Sequence, residues 1–137
     1  MPLRPTLTQD WLESLAPFAA TVGVRLVSAE PGEVRCTLDW SVARTTLGGS
    51  LHGGALMTLA DVTASLCAFL NVPEGGSTTT IEAKTNFLRA VREGRVEAIA
   101  RPVHVGRSTV VVQAGVEDAE GRLVALTTQT QAVLGPT

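Results

Sequence analysis

The sequence has little positive charge, and this scarcity excludes one class of partner. Its 137 residues carry 11 Lys and Arg against 13 Asp and Glu, and no stretch is strongly basic. Because nucleic-acid phosphates are bound by clustered basic side chains, nucleic acid is not an expected partner. Lys84 is the only lysine, so nearly all basic residues are arginines, whose planar guanidinium groups suit a small phosphorylated ligand.

Cysteines are also few, and no export signal is visible. Cys36 and Cys67 lie within apolar patterns and lack metal-ligand spacing, so we expect free core thiols in a reducing compartment and no bound metal. The first residues contain no apolar segment of the secretory type, which favours the cytoplasm. Residues 53–70 are apolar enough for a membrane span, but Asp61 at their centre would be costly in lipid, so no membrane location is predicted.

What the sequence does contain is enough apolar material for one core. Apolar residues make up 45% of the chain, and neither a repeat nor a linker is visible, so residues 1–137 are predicted to form a single domain. Within an N-terminal extension, residues 1–20, a short amphipathic helix is expected over 10–20, with Asp10 as a possible cap and Pro17 limiting its regularity. Residues 52–70 are apolar on nearly every face, which is typical of a buried helix.

Six further segments alternate in the manner of strands and are separated by turn sequences. They cover residues 23–29, 33–40, 78–88, 95–105, 108–116 and 123–134. The order is two strands, the buried helix, and then four strands in a meander. This order predicts an α+β fold in which an antiparallel sheet wraps around one long helix. Because a curved sheet covers only one side of such a helix, its remaining apolar surface indicates a partner subunit.

Asp61 is the most informative residue of the predicted helix. It is the only charged side chain between His52 and Glu74, in a segment that should be buried. A buried carboxylate without a partner is costly in free energy, so its presence needs a reason. Either it is a core Asp that hydrogen-bonds to the backbone or to Thr and Ser, or it is a general base or nucleophile in a dry cleft.

The run His52-Gly53-Gly54 opens the same helix. Bare N–H groups at a helix start, together with the helix dipole, can hold a developing oxyanion, although two glycines also suit a plain helix start. Gly53 and Asp61 are separated by about 12 Å of helix rise, whereas a reacting carbonyl needs the base and the oxyanion donor each within about 3 Å. If both act, they come from two subunits, with antiparallel helices around a two-fold axis.

Three segments resemble those of one family, the PaaI-like hotdog thioesterases of the phenylacetate-degradation type. They are HGGALMTLADVTASLCA, TTTIEAKTNFLRA and VHVGRSTVVVQAGVEDAEGRLVALTTQT, and the resemblance covers residues 18–134. It implies the hotdog fold, with dimers whose sheets join and which usually form tetramers. It also implies that small aryl- or short- to medium-chain acyl-CoA is hydrolysed to the free acid and CoA at the dimer interface. Coenzyme A is then part of the substrate, and no separate cofactor is implied.

The resemblance also assigns candidate catalytic residues. It implies that Asp61 is the catalytic carboxylate, that Gly53 provides the oxyanion N–H, and that His52 lies beside the thioester. Thr80 matches a Ser or Thr that helps to orient the attacking water. Where the family commonly has Asn, this chain has Thr46, which cannot reproduce an amide, so the acyl preference is affected more than the reaction.

Further substrate-binding residues follow from the same resemblance. Arg89 and the run Gly106-Arg107-Ser108 match positions that bind the phosphates and pantetheine of CoA, although ordinary surface charge explains the arginines equally well. Three more residues are expected to contact substrate: Gly54, Glu82 and Phe87.

Two other functions were weighed against hydrolysis. A non-catalytic acyl-CoA-binding or sensor protein on the same fold is the alternative, with Thr46 as its best support and Asp61 against it. A hotdog hydratase needs a histidine that is placed to take a proton, and neither His52 nor His104 lies in such a motif. The sequence does not separate base from nucleophile for Asp61. The acyl preference depends on two subunits and on the variable region 16–22.

Overall fold

A computed structural model of the protein describes residues 6–135. Within them, the helices and strands follow in this order: α1 (Gln9–Leu15), α2 (Pro17–Val22), β1 (Arg25–Glu30), β2 (Glu33–Asp39), α3 (Gly53–Leu70), β3 (Ser77–Phe87), β4 (Arg95–Val105), β5 (Thr109–Glu117) and β6 (Leu123–Leu134). A short 3-10 helix, Val42–Arg44, lies in the loop between β2 and α3. The predicted strand boundaries agree with these to within two residues, because alternation and turn residues mark both ends of each strand.

The strands form one six-stranded antiparallel sheet in the order β1-β2-β4-β5-β6-β3, and α3 packs against its inner face. The predicted α+β fold, with an antiparallel sheet wrapped around one long helix, is confirmed. The predicted meander is wrong at its first step, because β3 pairs with β6 whereas β4 pairs with β2. The reason is that α3 carries the chain across the sheet to its far edge. β3 starts at that edge, and residues 88–94 then bring the chain back to β2.

The core lies between α3 and the sheet. Eight residues of α3 are buried there: Leu56, Leu59, Ala60, Thr63, Ala64, Leu66, Cys67 and Ala68. By length and composition alone this helix could cross a membrane, but here it is the central helix of the core. Its opposite side is not covered by the sheet, and Gly54, Met57 and Asp61 are exposed along that side.

The N-terminal segment contains two helices where one was predicted. The chain breaks at Ala16, which has a non-helical conformation, and Pro17 occupies the start of α2. Proline lacks an N–H group and disfavours the helical conformation of the residue before it, so it begins a helix more readily than it continues one. The cap of α1 is Thr8, which accepts from the Trp11 N–H, so the prediction of Asp10 as cap is wrong. Residues 1–5 of the predicted extension lie outside the described residues.

Candidate active site

The start of α3 leaves one N–H group without a partner. The side chain of His52 caps the helix, because its Nδ1 accepts from the Gly54 N–H at 2.8 Å. The carbonyl oxygen of His52 accepts from the next two N–H groups, those of Ala55 and Leu56. Among the described residues, the Gly53 N–H has no hydrogen-bond acceptor. The end of the helix that carries positive potential therefore presents a single free donor.

The cap also fixes the proton of His52. A ring nitrogen that accepts a hydrogen bond carries no proton, so in this cap the ring N–H that can donate is at Nε2. A protonated ring would donate from both nitrogens and could not cap Gly54. His52 can therefore offer one N–H from Nε2 to a group near the helix start.

Gly53 lies beneath the ring of Phe87. A Cβ atom at Gly53 would come within 3.2 Å of that ring, so any larger residue would press against it. Gly53, Phe87 and Arg89 line one cavity of about 400 Å³, together with Ser50, Leu51, Leu56, Leu88 and Ala90. The structure thus brings three of the predicted site residues together.

Asp61 is exposed on the uncovered side of α3, so the prediction that it is buried is wrong for the single chain. Its Oδ1 atom accepts from Gln129 Nε2 at 2.5 Å and from Ser65 Oγ at 3.4 Å. Its Oδ2 atom has no hydrogen-bond partner among the described residues. Asp61 lines a second cavity, of about 220 Å³, with Met57, Thr58, Ala83, Thr85 and Thr127. One carboxylate oxygen accepts hydrogen bonds from Gln129 and Ser65, and the other accepts none from the described residues.

Gly53 and Asp61 line different cavities of the same chain. Eight residues of α3 separate them, or about 12 Å of helix rise. Within one chain, a single carbonyl group cannot be close to both.

Comparison with known proteins identifies the family of the chain. The sequence profile of the thioesterase superfamily matches residues 48–125. The chain belongs to the thioesterase superfamily. It is 35% identical over 86 residues to the 1,4-dihydroxy-2-naphthoyl-CoA hydrolase of Escherichia coli, a match that spans 63% of this chain and 63% of that enzyme.

Two solved structures extend the likeness to the fold. The chain superimposes on a thioesterase of Haemophilus influenzae with a TM-score of 0.88 at 27% identity, covering 98% of this chain and 96% of the other. A variant of the phenylacetic acid degradation protein PaaI of Thermus thermophilus gives a TM-score of 0.78 at 31% identity, with 85% and 97% covered. The predicted PaaI-like hotdog family and the predicted thioester hydrolase are confirmed.

In this thioesterase the two arginines that were predicted to bind CoA lie far apart. The Arg89 N–H donates to the Val124 carbonyl oxygen, whereas the carbonyl oxygen of Ser108, next to Arg107 in the β4–β5 turn, accepts from Val133. Nine residues of β6 separate these two contacts, or about 30 Å of strand. The turn Gly106-Arg107-Ser108 therefore lies at the opposite end of the sheet from Gly53 and Arg89.

The remaining predicted residues are scattered. Thr46 lies on an exposed loop, and its backbone N–H donates to the Ser50 carbonyl oxygen. Gly54 lines a third cavity with His52, and Glu82 accepts from Thr130 Oγ1 on the outer face of the sheet. None of these residues contacts Asp61 through a hydrogen bond in the described part of the chain. Their predicted roles stay predictions.

Thr80 leads to residues that the sequence analysis missed. Its hydroxyl accepts from Gln131 Nε2 at 2.6 Å, and Gln131 also donates to Gln129 Oε1 at 2.7 Å, so Thr80 is connected to Asp61 only indirectly. The alternation of residues along β6 could have indicated that these glutamines face the helix. Thr127, Gln129 and Gln131 fall on the same side of that strand as buried Ala125, which places three polar residues toward the helix.

Proposed function

We propose that this thioesterase hydrolyses CoA thioesters of small aryl or short- to medium-chain acyl groups at sites shared by two copies of the chain. One observation carries the proposal. Within residues 6–135, the helix α3 has an N–H without an acceptor at Gly53 and a carboxylate oxygen without a donor at Asp61, on a helix side that the sheet leaves open. Since about 12 Å separates them, a complete site needs Gly53 from one copy and Asp61 from another.

The edge of the sheet supports such pairing. β3 is an edge strand of 11 residues, and nearly all of them are exposed, including Ile81 at 59% and Phe87 at 52%. Proteins rarely leave so long an edge strand unpaired. Joining two β3 edges about a two-fold axis would extend the sheet and set the two copies of α3 antiparallel. A dimer is therefore the proposed minimum unit, in a soluble cytoplasmic protein, and two dimers would form a tetramer.

In the proposed reaction, the thioester carbonyl oxygen accepts from the Gly53 N–H of one copy. Asp61 Oδ2 of the other copy takes a proton from water as that water attacks the carbonyl carbon. The tetrahedral intermediate then expels the CoA thiolate, which takes the proton from Asp61, and the free acid leaves. Alternatively, Asp61 attacks the carbonyl carbon directly and the C–S bond breaks, which releases the CoA thiolate and leaves an anhydride; water then hydrolyses the anhydride to the free acid and restores the Asp61 carboxylate. A carboxylate oxygen without hydrogen bonds can serve either route.

The substrate class rests on three further features. The relative from Escherichia coli is named for the hydrolysis of a CoA thioester. Arg89 lines the same cavity as Gly53, so it can meet the CoA that enters there, whereas Arg107 can reach that CoA only from the other copy. A cavity of about 530 Å³ between α2 and the start of α3 offers room for a small acyl group, lined in part by Phe18, Val22 and Ala55.

In the described part of the chain, no feature favours a purely binding function over hydrolysis. That alternative rests on Thr46, whose side chain has no hydrogen-bond partner among the described residues. A carboxylate with one oxygen held and one free is, in contrast, an arrangement suited to proton transfer.

Subunit complementation tests the shared site. Asp61→Asn lacks the base, and Gly53→Pro lacks the donor. Proline is favoured at the first helical position, and His52 already has an extended conformation, so Gly53→Pro suits the backbone. Each variant alone should be nearly inactive. Refolded together in equal amounts, the two variants should recover about a quarter of wild-type activity, because half the dimers have one complete site of two. No recovery, with heterodimers confirmed by mass, would rule out the shared site.

A further inference from the structure

Strand β6 carries polar side chains where its neighbour carries apolar ones. Gln129 and Gln131 face α3 and are 0% and 1% exposed. On β5, their paired residues are Val112 and Val110, which belong to the core. Burying an amide costs free energy unless its hydrogen bonds are made, and an aliphatic side chain would fill the same space without that cost. The two amides therefore serve something other than packing.

Their hydrogen bonds link Thr80 to Asp61, and Gln131 Nε2 also donates to Ser65 Oγ at 3.3 Å. Gln131 Nε2 donates to Thr80 Oγ1 at 2.6 Å and to Gln129 Oε1 at 2.7 Å. Gln129 Nε2 in turn donates to Asp61 Oδ1 at 2.5 Å. Ser65, one turn after Asp61 on α3, lies within 3.4 Å of both Asp61 Oδ1 and Gln129 Oε1. Among the described residues, no fully buried side-chain nitrogen or oxygen lacks a hydrogen-bond partner.

The direction of these hydrogen bonds is set by the charge of Asp61. An ionised carboxylate only accepts hydrogen bonds, so the amide end that faces it must be the Gln129 nitrogen. The Gln129 oxygen then points away, and Gln131 must present its nitrogen there. If either amide flipped, two acceptor oxygens would meet at hydrogen-bond distance. Each amide therefore holds the other in the orientation that an ionised Asp61 requires.

We propose that Gln129 is a positioning residue for Asp61, and that Gln131 fixes the orientation of the Gln129 amide. The inference rests on the proposed function, in which Asp61 Oδ2 takes the proton from water or attacks the substrate. Gln129 ties Oδ1 to the sheet, so the carboxylate cannot rotate about its side-chain bonds, and Oδ2 alone is presented to the substrate. Reaction rates depend steeply on such alignment.

Gln129→Met tests the proposal, because methionine keeps the length of the side chain and removes the donor. We expect kcat to fall about 10- to 100-fold with KM within about two-fold of wild type, since substrate still binds but Asp61 is no longer aligned. The control is Gln113→Met, an exposed glutamine of β5 that donates to Thr128, for which wild-type kcat is expected. Circular dichroism and gel filtration confirm that each protein is folded and equally assembled.

A double-mutant cycle separates positioning from a general loss of stability. Gln131→Met should lower kcat less than Gln129→Met does. In the Gln129→Met background it should change kcat by less than about two-fold, because the only other route from Gln131 to Asp61 among the described residues, through Ser65, consists of long hydrogen bonds of 3.3 and 3.4 Å. Two independent structural defects would instead multiply their effects on kcat. That multiplication, in folded proteins, would overturn the proposal.

Asp61→Asn, measured in parallel, distinguishes the two proposals. If Asp61→Asn keeps full activity, the proposed function fails. If Asp61→Asn is inactive but Gln129→Met keeps wild-type kcat, only the positioning role fails. Should Gln129→Met not fold, Gln129→Asn takes its place. It remains polar and withdraws the amide from Asp61 by about 1.5 Å, the length of one carbon–carbon bond. The same fall in kcat is then expected, and wild-type kcat would overturn the proposal.

Discussion

The Nδ1 atom of His52 accepts a hydrogen bond from the N–H of Gly54 at 2.8 Å. This bond gives the two adjacent glycines different roles. Gly54 donates to the cap, whereas the Gly53 N–H remains free among the described residues. A sequence pattern of two glycines at a helix start cannot show this difference, because it depends on the direction in which the imidazole turns.

Gly53 permits a matched pair of variants. Gly53→Pro removes the free N–H, and Gly53→Ala keeps it while adding the same Cβ atom beside the Phe87 ring. We expect Gly53→Pro to lower kcat by about 100- to 1000-fold, the usual cost of losing one oxyanion donor. Gly53→Ala should lose much less. Steady-state kinetics on one acyl-CoA measures both, and equal losses would mean that crowding against Phe87, not the donor, is responsible.

Asp61→Asn keeps the shape of the side chain and removes the base. The amide oxygen can still accept from Gln129, so the fold and the melting temperature should be retained. We expect kcat to fall by about two to four orders of magnitude with little change in KM. Wild-type activity in the folded variant would end the catalytic assignment of Asp61.

Arg107 is predicted to contact the nucleotide part of CoA, not the reacting centre. Arg107→Ala should raise KM for acyl-CoA, leave kcat nearly unchanged, and reduce the dependence of KM on salt. Arg25→Ala, at the start of the edge strand β1 and away from the β4–β5 turn, is the matched control and should behave as wild type. A thioester of pantetheine without the nucleotide should be hydrolysed equally by all three proteins. An equal rise in KM with that substrate would contradict the phosphate role.

The two buried cysteines predict that the protein becomes less stable at alkaline pH. Burial raises the pKa of Cys36 and of Cys67 to about 11. As pH rises from about 9, the thiols of the unfolded chain lose their protons first, so the free energy of unfolding falls. The slope is at most about 1.4 kcal/mol per pH unit for each thiol. The sequence has no tyrosine and only Lys84, so few other side chains titrate in this range.

Denaturant unfolding between pH 8 and pH 11 measures this slope. The double variant Cys36→Ala, Cys67→Ala should start less stable, because it loses buried volume, but should decline less steeply with pH. An identical slope in both proteins would show that the buried thiols are not its cause.

Local patterns explain why so much of the fold was predictable. Strands such as β5 and β6 alternate between buried and less buried residues, and turn residues such as those of Glu30-Pro31-Gly32 end other strands, so the bounds follow from neighbours in sequence. The strand that pairs with β3 could not be predicted from neighbouring residues in this way. The pairing of β3 with β6 depends on where α3 delivers the chain, which is a property of the whole fold.

The candidate site was predictable only in part for a similar reason. Gly53 and Asp61 stand out by residue type at a helix start and a helix centre. Gln129 and Gln131 did not, because glutamine is usually a surface residue and its burial here depends on contacts with a helix more than 60 residues earlier in the chain. Asp61 was expected to be buried, and its exposure reflects a helix side that one chain cannot cover.

The unpaired edge at β3 affects how the newly synthesised chain assembles. In the single chain, the strand Ser77–Phe87 presents unpaired backbone beside Ile81 and Phe87, without a proline to interrupt it, and the proposed dimer would cover that edge. Such an edge can template any extended apolar peptide, and only Glu82 and Lys84 oppose this by charge. We therefore expect aggregation to compete with assembly at high rates of synthesis, and a chain that cannot pair at β3 to precipitate before it unfolds.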